Sequence, residues 1–530
     1  MKELLKTKHF RFGVYSLGSV LILAAIIVVI NYLSFFLFKR IDLTSNGIYS
    51  LSKASRKIIR SLDDPILIKC YFTKNLPAPY NTQGTYLRDL LLEYKARSRG
   101  KLKFEFIDPV DEETKKKAME SGIRPLTFTQ VESDKYEMKE GYMGLIFLYE
   151  DRKEIIPFVK DVSNLEYDIT SHIKKLSTEN PKIVGFLEGH GEKSPLGENG
   201  NEQIMAMISR NYSTRSTNLN SNPDALNEVD CLAVMGPRSK ISEKELYKID
   251  QFLMKGKPVA FFVDNVDVDV QSFYGTRLDT GLKEFLDAYG INVNRGSILD
   301  MQNQVIGLTT KRGFFYMQQY INYPLFPVIT DLKKDSIIVK DLDKITISFA
   351  GPIEVNNQES KLEILAQTSK KSWYKENLLY FNPMQNFKPE KDDRQGPFAV
   401  AVTLTGKLKS AYADKTPGGA KPEEVKDTIK ETTGARIFVA TSSRFIQPDF
   451  MDPANVAFFM NVVDWAAQDS DLTAIRSKSN VYRPLKDISS KKTRTLIKWL
   501  NIFLMPVLLA VYGILHWRRR IDIKNKLTLC

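Results

Sequence analysis

The chain is poor in the residues on which most hydrolytic, redox and metal chemistry is built: its 530 positions hold three cysteines, four histidines and four tryptophans. Cys70, Cys231 and Cys530 form an odd, widely spaced set, which supplies neither a disulfide framework nor the paired spacing of a zinc site. That usage leaves the redox compartment open. His9 and His516 border apolar segments, so only His172 and His190 remain for the body of the chain, and no metal ligand set can be assembled around them. No G-x-S-x-G elbow and no G-x-x-x-x-G-K-[ST] loop occurs, which removes the common α/β hydrolase nucleophile and the P-loop phosphate cradle. Any ATP hydrolysis is therefore left to a partner, and no cofactor is called for. Long low-complexity tracts are also missing, and an apolar share of 43% with 26% charged residues is that of globular protein. No internal repeat is evident. A chain of this length exceeds what a single core fills, so several domains are expected.

What is abundant is positive charge, +13 net, and its placement matters more than its size. Lys2, Lys6, Lys8, Arg11, Lys39 and Arg40 face only Glu3 and Asp42 at one end. At the other, residues 491–530 carry nine cations against Asp522, leaving about +1 for everything between. Nucleic-acid binding needs a basic face on the folded body, whereas this charge borders two apolar segments, where it suits anionic lipid headgroups. Nucleic acid is excluded as a partner, and membrane lipid is expected.

The first of those segments, Val14 to Phe38, holds no charge, and about 20 such residues suffice to cross a bilayer. A signal peptide is the competing reading, but its apolar region is shorter and ends at small residues, whereas this one runs into Lys39 and Arg40. In the second segment, Leu496 to Trp517, Lys498 can snorkel, Pro506 predicts a kink, and Trp499 and Trp517 suit the two interfaces. Arg518, Arg519 and Arg520 then stop it and anchor it. Two spans put both short basic tails on one side. Such tails stay in the cytoplasm while long domains translocate, so the body is expected outside, in the periplasm of a bacterial inner membrane.

Between the spans the pattern divides. Tails at 1–13 and 518–530 and spans at 14–38 and 496–517 enclose a stalk helix and linker (39–64), a first domain (65–178), a second (181–470) and a linker (471–495). The first domain reads strand 66–72, helix 85–98, strand 102–108, helix 111–121, then a hairpin, an order that resembles a thioredoxin-like sandwich. Where such a fold carries Cys-x-x-Cys, Thr73 to Tyr80 stand instead, so the domain is expected to be redox-silent. A helix over 162–176 leads to the second domain, where apolar strands at 182–187, 230–236 and 258–264 alternate with helices. That alternation predicts a doubly wound α/β unit with a parallel sheet covered on both faces. A β-rich insertion is expected at about 300–395, after which PFAVAVTLTG, ARIFVATSS and the helix 455–468 complete the sheet.

The strongest candidate site is Glu188, Gly189, His190, Gly191 and Glu192, directly after an apolar strand. Ligands of open α/β sheets bind beyond the carboxyl ends of strands, and glycines admit close backbone approach. The alternative is a tight turn with His190 hydrogen-bonded inside the loop, since G-x-G by itself is a weak signal. Asp264, Asp267 and Asp269 follow another strand and read either as a hard-cation site or as a solvated loop.

The ordered set IDLTSNGIYSLSKASRKIIRSLDDP, GFLEGHGE, DCLAVMGPRSKISEKELYKIDQFLMKGKPVAFFVD, NVVDWAAQDSDLTAIRSKS and the terminal WRRR resembles the GldG-type, gliding-motility-associated auxiliary component of bacterial ABC transporters, from about residue 14 to 520. The resemblance implies a separate permease, a partner ATP-binding subunit, and an α/β unit similar to a class I glutamine amidotransferase. Active members of that fold place a cysteine on a strand-to-helix elbow. Here CLAVMGPRS puts Cys231 at the strand start and Gly236, Pro237 and Arg238 at the turn. A non-catalytic subunit carrying a periplasmic or envelope substrate is therefore the expectation. Its rivals are a periplasmic enzyme acting at Glu188 to Glu192 and a mechanical link between membrane and envelope.

Overall fold

The computed structural model describes residues 22–29, 491–528, and 50–468 apart from 78–79, 133–134, 160–161, 163, 198–199, 313–314, 341, 357–360 and 420–424. It divides into two units, Met1–Val481 and Tyr482–Cys530. Most of the expected first span, the N-terminal tail and most of the 471–495 linker lie outside the described residues. Residues 22–29 (α1) are helical and entirely apolar, with large side chains such as Ile22 and Val28 exposed.

The body opens with α2 (Lys53–Arg60), capped by Ser52, whose hydroxyl accepts from the Ser55 amide. A first sheet follows. It is built from β1 (Ile66–Phe72), α3 (Gln83–Arg97), β2 (Leu102–Ile107), α4 (Glu112–Glu120), the separate hairpin β3 (Leu126–Glu132) and β4 (Lys135–Gly141), then β5 (Met143–Tyr149) and β6 (Arg152–Ile156). Its order is β2-β1-β5-β6, with β1 parallel to β2 and the remaining pairs antiparallel. α5 (Leu165–Ser177) then leads away, buried on more than one side. Toward the first sheet, His172 stacks on Phe147 with ring centres 5.3 Å apart. Toward the second, Asp168 pairs with Arg210 at 3.1 Å and the Tyr167 hydroxyl accepts from Asn211 at 3.0 Å. One apolar cluster consequently runs from Leu51 through Ile169 and Ile173 to Ala467.

The second sheet begins with β7 (Ile183–Leu187), α6 (Glu202–Ile208), β8 (Ser213–Thr217), β9 (Cys231–Met235), α7 (Glu243–Met254) and β10 (Val259–Phe262). The chain continues through the small hairpin β11 (Val266–Val268) and β12 (Gly275–Arg277), then α8 (Leu282–Asp287), β13 (Ile291–Val293) and β14 (Ser297–Asp300). A long ribbon, β15 (Asn303–Arg312) and β16 (Phe315–Ile329), precedes the short β17 (Asp331–Leu332) and β18 (Ile345–Thr346). Then come β19 (Ile353–Val355), β20 (Lys361–Gln367), β21 (Ser372–Lys375), β22 (Arg394–Gln395), β23 (Ala399–Lys409), β24 (Glu431–Ala440) and α9 (Pro453–Ala466). Five strands run parallel in the order β8-β7-β9-β10-β24, and β23, β19 and β13 extend the sheet antiparallel. The segment expected as an insertion is rich in strands, but β20 is hydrogen-bonded to β23 within this large sheet.

Alternate residues of the parallel strands enter different cores. Cys231, Ala233 and Met235 join the cluster with α9, while Leu232 and Val234 join one with α7 and α8. Burial on both faces explains why these strands are apolar at every position rather than at every second one.

In the second unit, α10 (Lys491–Thr528) contains Lys498–Arg519, 22 residues long and apolar enough to cross a membrane by length and composition, with Pro506 inside it. At about 1.5 Å per residue that stretch spans the roughly 30 Å of hydrocarbon.

The entry of the chain into the body is fixed by a buried carboxylate. Glu166 accepts from the Ser52 amide at 2.6 Å and the Ser55 hydroxyl at 2.7 Å. Thr170 donates to Ser55 at 3.0 Å and Tyr94 donates to the Glu166 carbonyl at 3.1 Å. Glu166→Ala, which removes the carboxylate acceptor of the Ser52 amide and the Ser55 hydroxyl, is expected to lower stability by about 2 kcal/mol. Glu93→Ala, which breaks the surface pair with Arg97, should stay within about 0.5 kcal/mol. Denaturant midpoints of the two variants check this, and equal shifts would contradict it.

Candidate functional site

In the order β8-β7-β9-β10-β24 the chain reverses direction across the sheet between β7 and β9, where crevices form outside the carboxyl ends of parallel strands. The Glu188 to Glu192 loop leaves β7 at this place. The turn Gly236 to Arg238 leaves β9 beside it, and Asp264 and Ser443 follow β10 and β24. Gly189 (φ +118) and Gly191 (φ +75) supply backbone angles that side chains rarely adopt. Gly236 (φ +55) is closer packed still, for a Cβ there would collide with the Ser443 hydroxyl.

His190 lies only 4% exposed, held between two carboxylates. Its Nδ1 is 3.0 Å from Glu192 Oε1 and its Nε2 is 3.2 Å from Glu245 Oε2, while its amide donates to Glu192 Oε2 at 2.8 Å. The hydrogen bond to Glu192 and the charge of Glu245 raise its pKa above the ordinary imidazole value, against the opposing effect of burial. Glu245 also completes the capping box of α7 with Ser242. The His190 carbonyl accepts from the amides of Arg238, at 2.8 Å, and Ser239, at 3.0 Å. The ring thus ties the loop after β7 to the turn after β9 and the start of α7. Glu188 turns outward and accepts from Ser216.

A cleft of about 310 Å³ opens beside this clamp, lined by Glu192, Lys193, Ser194, Arg238 and Gln447 among others. Asn201 closes one wall by donating to the Ile446 carbonyl at 2.9 Å. Asp267 Oδ1 accepts from Arg444 at 2.9 Å and pairs with Arg238 at 3.1 Å, with Lys193 Nζ at 3.9 Å. Asp264 accepts from the Ser443 amide at 2.7 Å and hydroxyl at 2.5 Å. Asp264 and Asp267 are therefore counter-charges and turn acceptors, not a solvated loop. Asp269 alone fits that description, its carboxyl held low by Ser272 and Gln271. Neither Lys193 nor Arg444 stands out in the sequence. Their only signal is that each follows a strand of the parallel sheet.

Among the described residues no group of three or more His, Cys, Asp or Glu side chains is placed to hold a metal ion. Cys231 opens β9, well before the turn at Gly236, and burial pushes its thiol up to about 12. Burial likewise raises the Cys70 thiol inside β1. At the far end of the chain Trp499 and Trp517 are exposed on α10, as are Arg518 and Arg519. The side chain of Arg520 lies outside the described residues.

The sheet and its crevice define a mixed α/β protein of the kind that places ligands beyond parallel strand ends. The chain belongs to the family described as an ABC-type uncharacterized transport system, whose model matches residues 181–470. A domain of unknown function (DUF7088) matches residues 45–148. An uncharacterized protein of Borreliella burgdorferi is 24% identical over 511 residues, covering 94% of this chain and 96% of its own. Among solved structures, the mmIFT52 N-terminal domain aligns at 15% identity over 54% of this chain and 97% of its own, with a TM-score of 0.34. That score is too low to define a shared fold.

His190→Ala would remove the imidazole between Glu192 and Glu245, leaving the first with the residue 190 amide and the second with Ser242, at about 3 kcal/mol of stability. The raised pKa sets the pH dependence. The stabilisation is fully present below the unfolded imidazole value, about 6.5, and is lost as pH rises through the higher folded one. Unfolding free energies of wild type and His190→Gln should therefore converge with rising pH. A difference independent of pH would show that His190 folds uncharged.

Proposed function

We propose that the protein is a non-catalytic, extracytoplasmic auxiliary subunit of a bacterial ABC transporter of the gliding-motility (GldG) type. The family match over 181–470 carries this reading, because a chain without an ATP-hydrolysing loop can serve such a system only beside a permease and an ATP-binding subunit. The apolar stretch Lys498–Arg519, followed by basic residues, supports attachment to the membrane. The apolar helix at 22–29 supports a second span. Cationic tails outside both segments favour cytoplasmic termini and a periplasmic body.

The order β2-β1-β5-β6 supports a thioredoxin-like first domain. The order β8-β7-β9-β10-β24, numerically 2-1-3-4-5, supports a flavodoxin-like, amidotransferase-related second one. In this reading the spans dock on the permease and the crevice after β7 and β9 meets the substrate.

The reading predicts that the full chain copurifies with the permease, while a fragment of residues 43–490 does so at less than about a tenth of that yield. Equal recovery of the fragment would end the docking claim.

A further inference from the structure

Lys193, Arg238 and Arg444 meet Asp264 and Asp267 beside the cleft, and the hydrogen bonds among them are unevenly shared. Asp264 accepts hydrogen bonds from Ser443 and none from a cation, and Asp267 is shared by Arg444 and Arg238 at hydrogen-bond distance. Glu192, the acid in the cleft wall, is turned away into His190. Among the described residues Lys193 has no acceptor for its ammonium at hydrogen-bond distance. Its side chain is only 9% exposed, it lines the cleft, and its ammonium stands 3.9 Å from Asp267, beyond hydrogen-bond length. Arg238, at 46% exposure, presents the rest of its guanidinium to the same opening. A buried ammonium without an acceptor is unfavourable, and folding retains one only at a compensating interaction.

We propose that the cleft binds the anionic group of a small ligand, a phosphate or a carboxylate, with Lys193 and Arg238 as its counter-charges. The inference rests on reading the crevice as a ligand site and is independent of which permease the protein serves. A volume of about 310 Å³ sits at the lower limit of small-molecule pockets and admits a compact anion or the charged end of a longer molecule.

Lys193 also sets a proton linkage. Burial, with Arg444 and Arg238 nearby, lowers the Lys193 pKa to about 8 against the opposing pull of Asp264 and Asp267. An anion in the cleft would raise it again, so binding near pH 8 takes up a proton.

The test titrates the full chain in detergent with sodium phosphate and, separately, with citrate, against sodium chloride at equal ionic strength. Calorimetry in buffers of different ionisation enthalpy counts the proton. Binding by one anion and not the other identifies the group. Lys193→Met and Arg238→Gln should each weaken it about tenfold. Lys193→Met should also abolish proton uptake while unfolding no earlier than wild type, because it removes a buried ammonium that makes no hydrogen bond at the cleft and leaves Asp267 its two arginines. Phosphate and citrate both behaving as chloride, or Lys193→Met binding as wild type does, would overturn the proposal. So would Lys193→Met unfolding markedly earlier, which would make the lysine structural. Should that variant not fold, Arg238→Gln with unchanged affinity overturns the proposal equally. Loss of anion binding would leave association with the permease untouched, so the two readings fail separately.

Discussion

The two-sided burial of α5 is the constraint on which the body of this protein depends. A helix with one apolar stripe belongs to a single layer. α5 instead buries Leu165, Ile169, Ile173 and Leu176, each contributing about 2 kcal/mol, and joins the first sheet to the α/β sheet through one apolar cluster. The polar contacts follow the same division, with His172 stacked on Phe147 and Asp168 and Tyr167 bonded to Arg210 and Asn211. Two sheets of different topology are thereby held as one packed body and not as beads on a linker.

The crevice is a product of strand order rather than of any local motif. The chain leaves β7 toward β8 and β9 toward β10, in opposite directions across the sheet, and His190 bonds both flanks of the gap between them. The cations that line the opening are Lys193, directly after Glu192, and Arg238 of the neighbouring turn. The histidine of G-H-G-E is taken up in hydrogen bonds, and the less conspicuous lysine beside the loop borders the cleft.

Strands β7, β9 and β10 are readable in the sequence because burial on both faces makes them apolar throughout. β8, Ser213–Thr217, is not, since an edge strand keeps polar residues exposed. The ribbon of β15 and β16 is hidden by Pro324 and Pro327, residues that argue against a strand. The structure accommodates them at its base, beside the register shift at Asn303 and Gln304. β4, Lys135–Gly141, is disguised by its charges. At the site, the glycine loop is visible as a loop because of its composition. The meeting of Lys193, Arg238, Asp267 and Arg444 is invisible, because only the order of the parallel strands brings such distant residues to one edge.

The fastening of Ser52 and Ser55 to Glu166 has a mechanical meaning. Tension on the chain upstream of residue 50 arrives at α5 directly, through hydrogen bonds placed at the first turn of α2, and does not have to travel along that helix and unwind it. Load applied ahead of Ser52 would thus meet these buried hydrogen bonds first, at the helix that packs against both sheets.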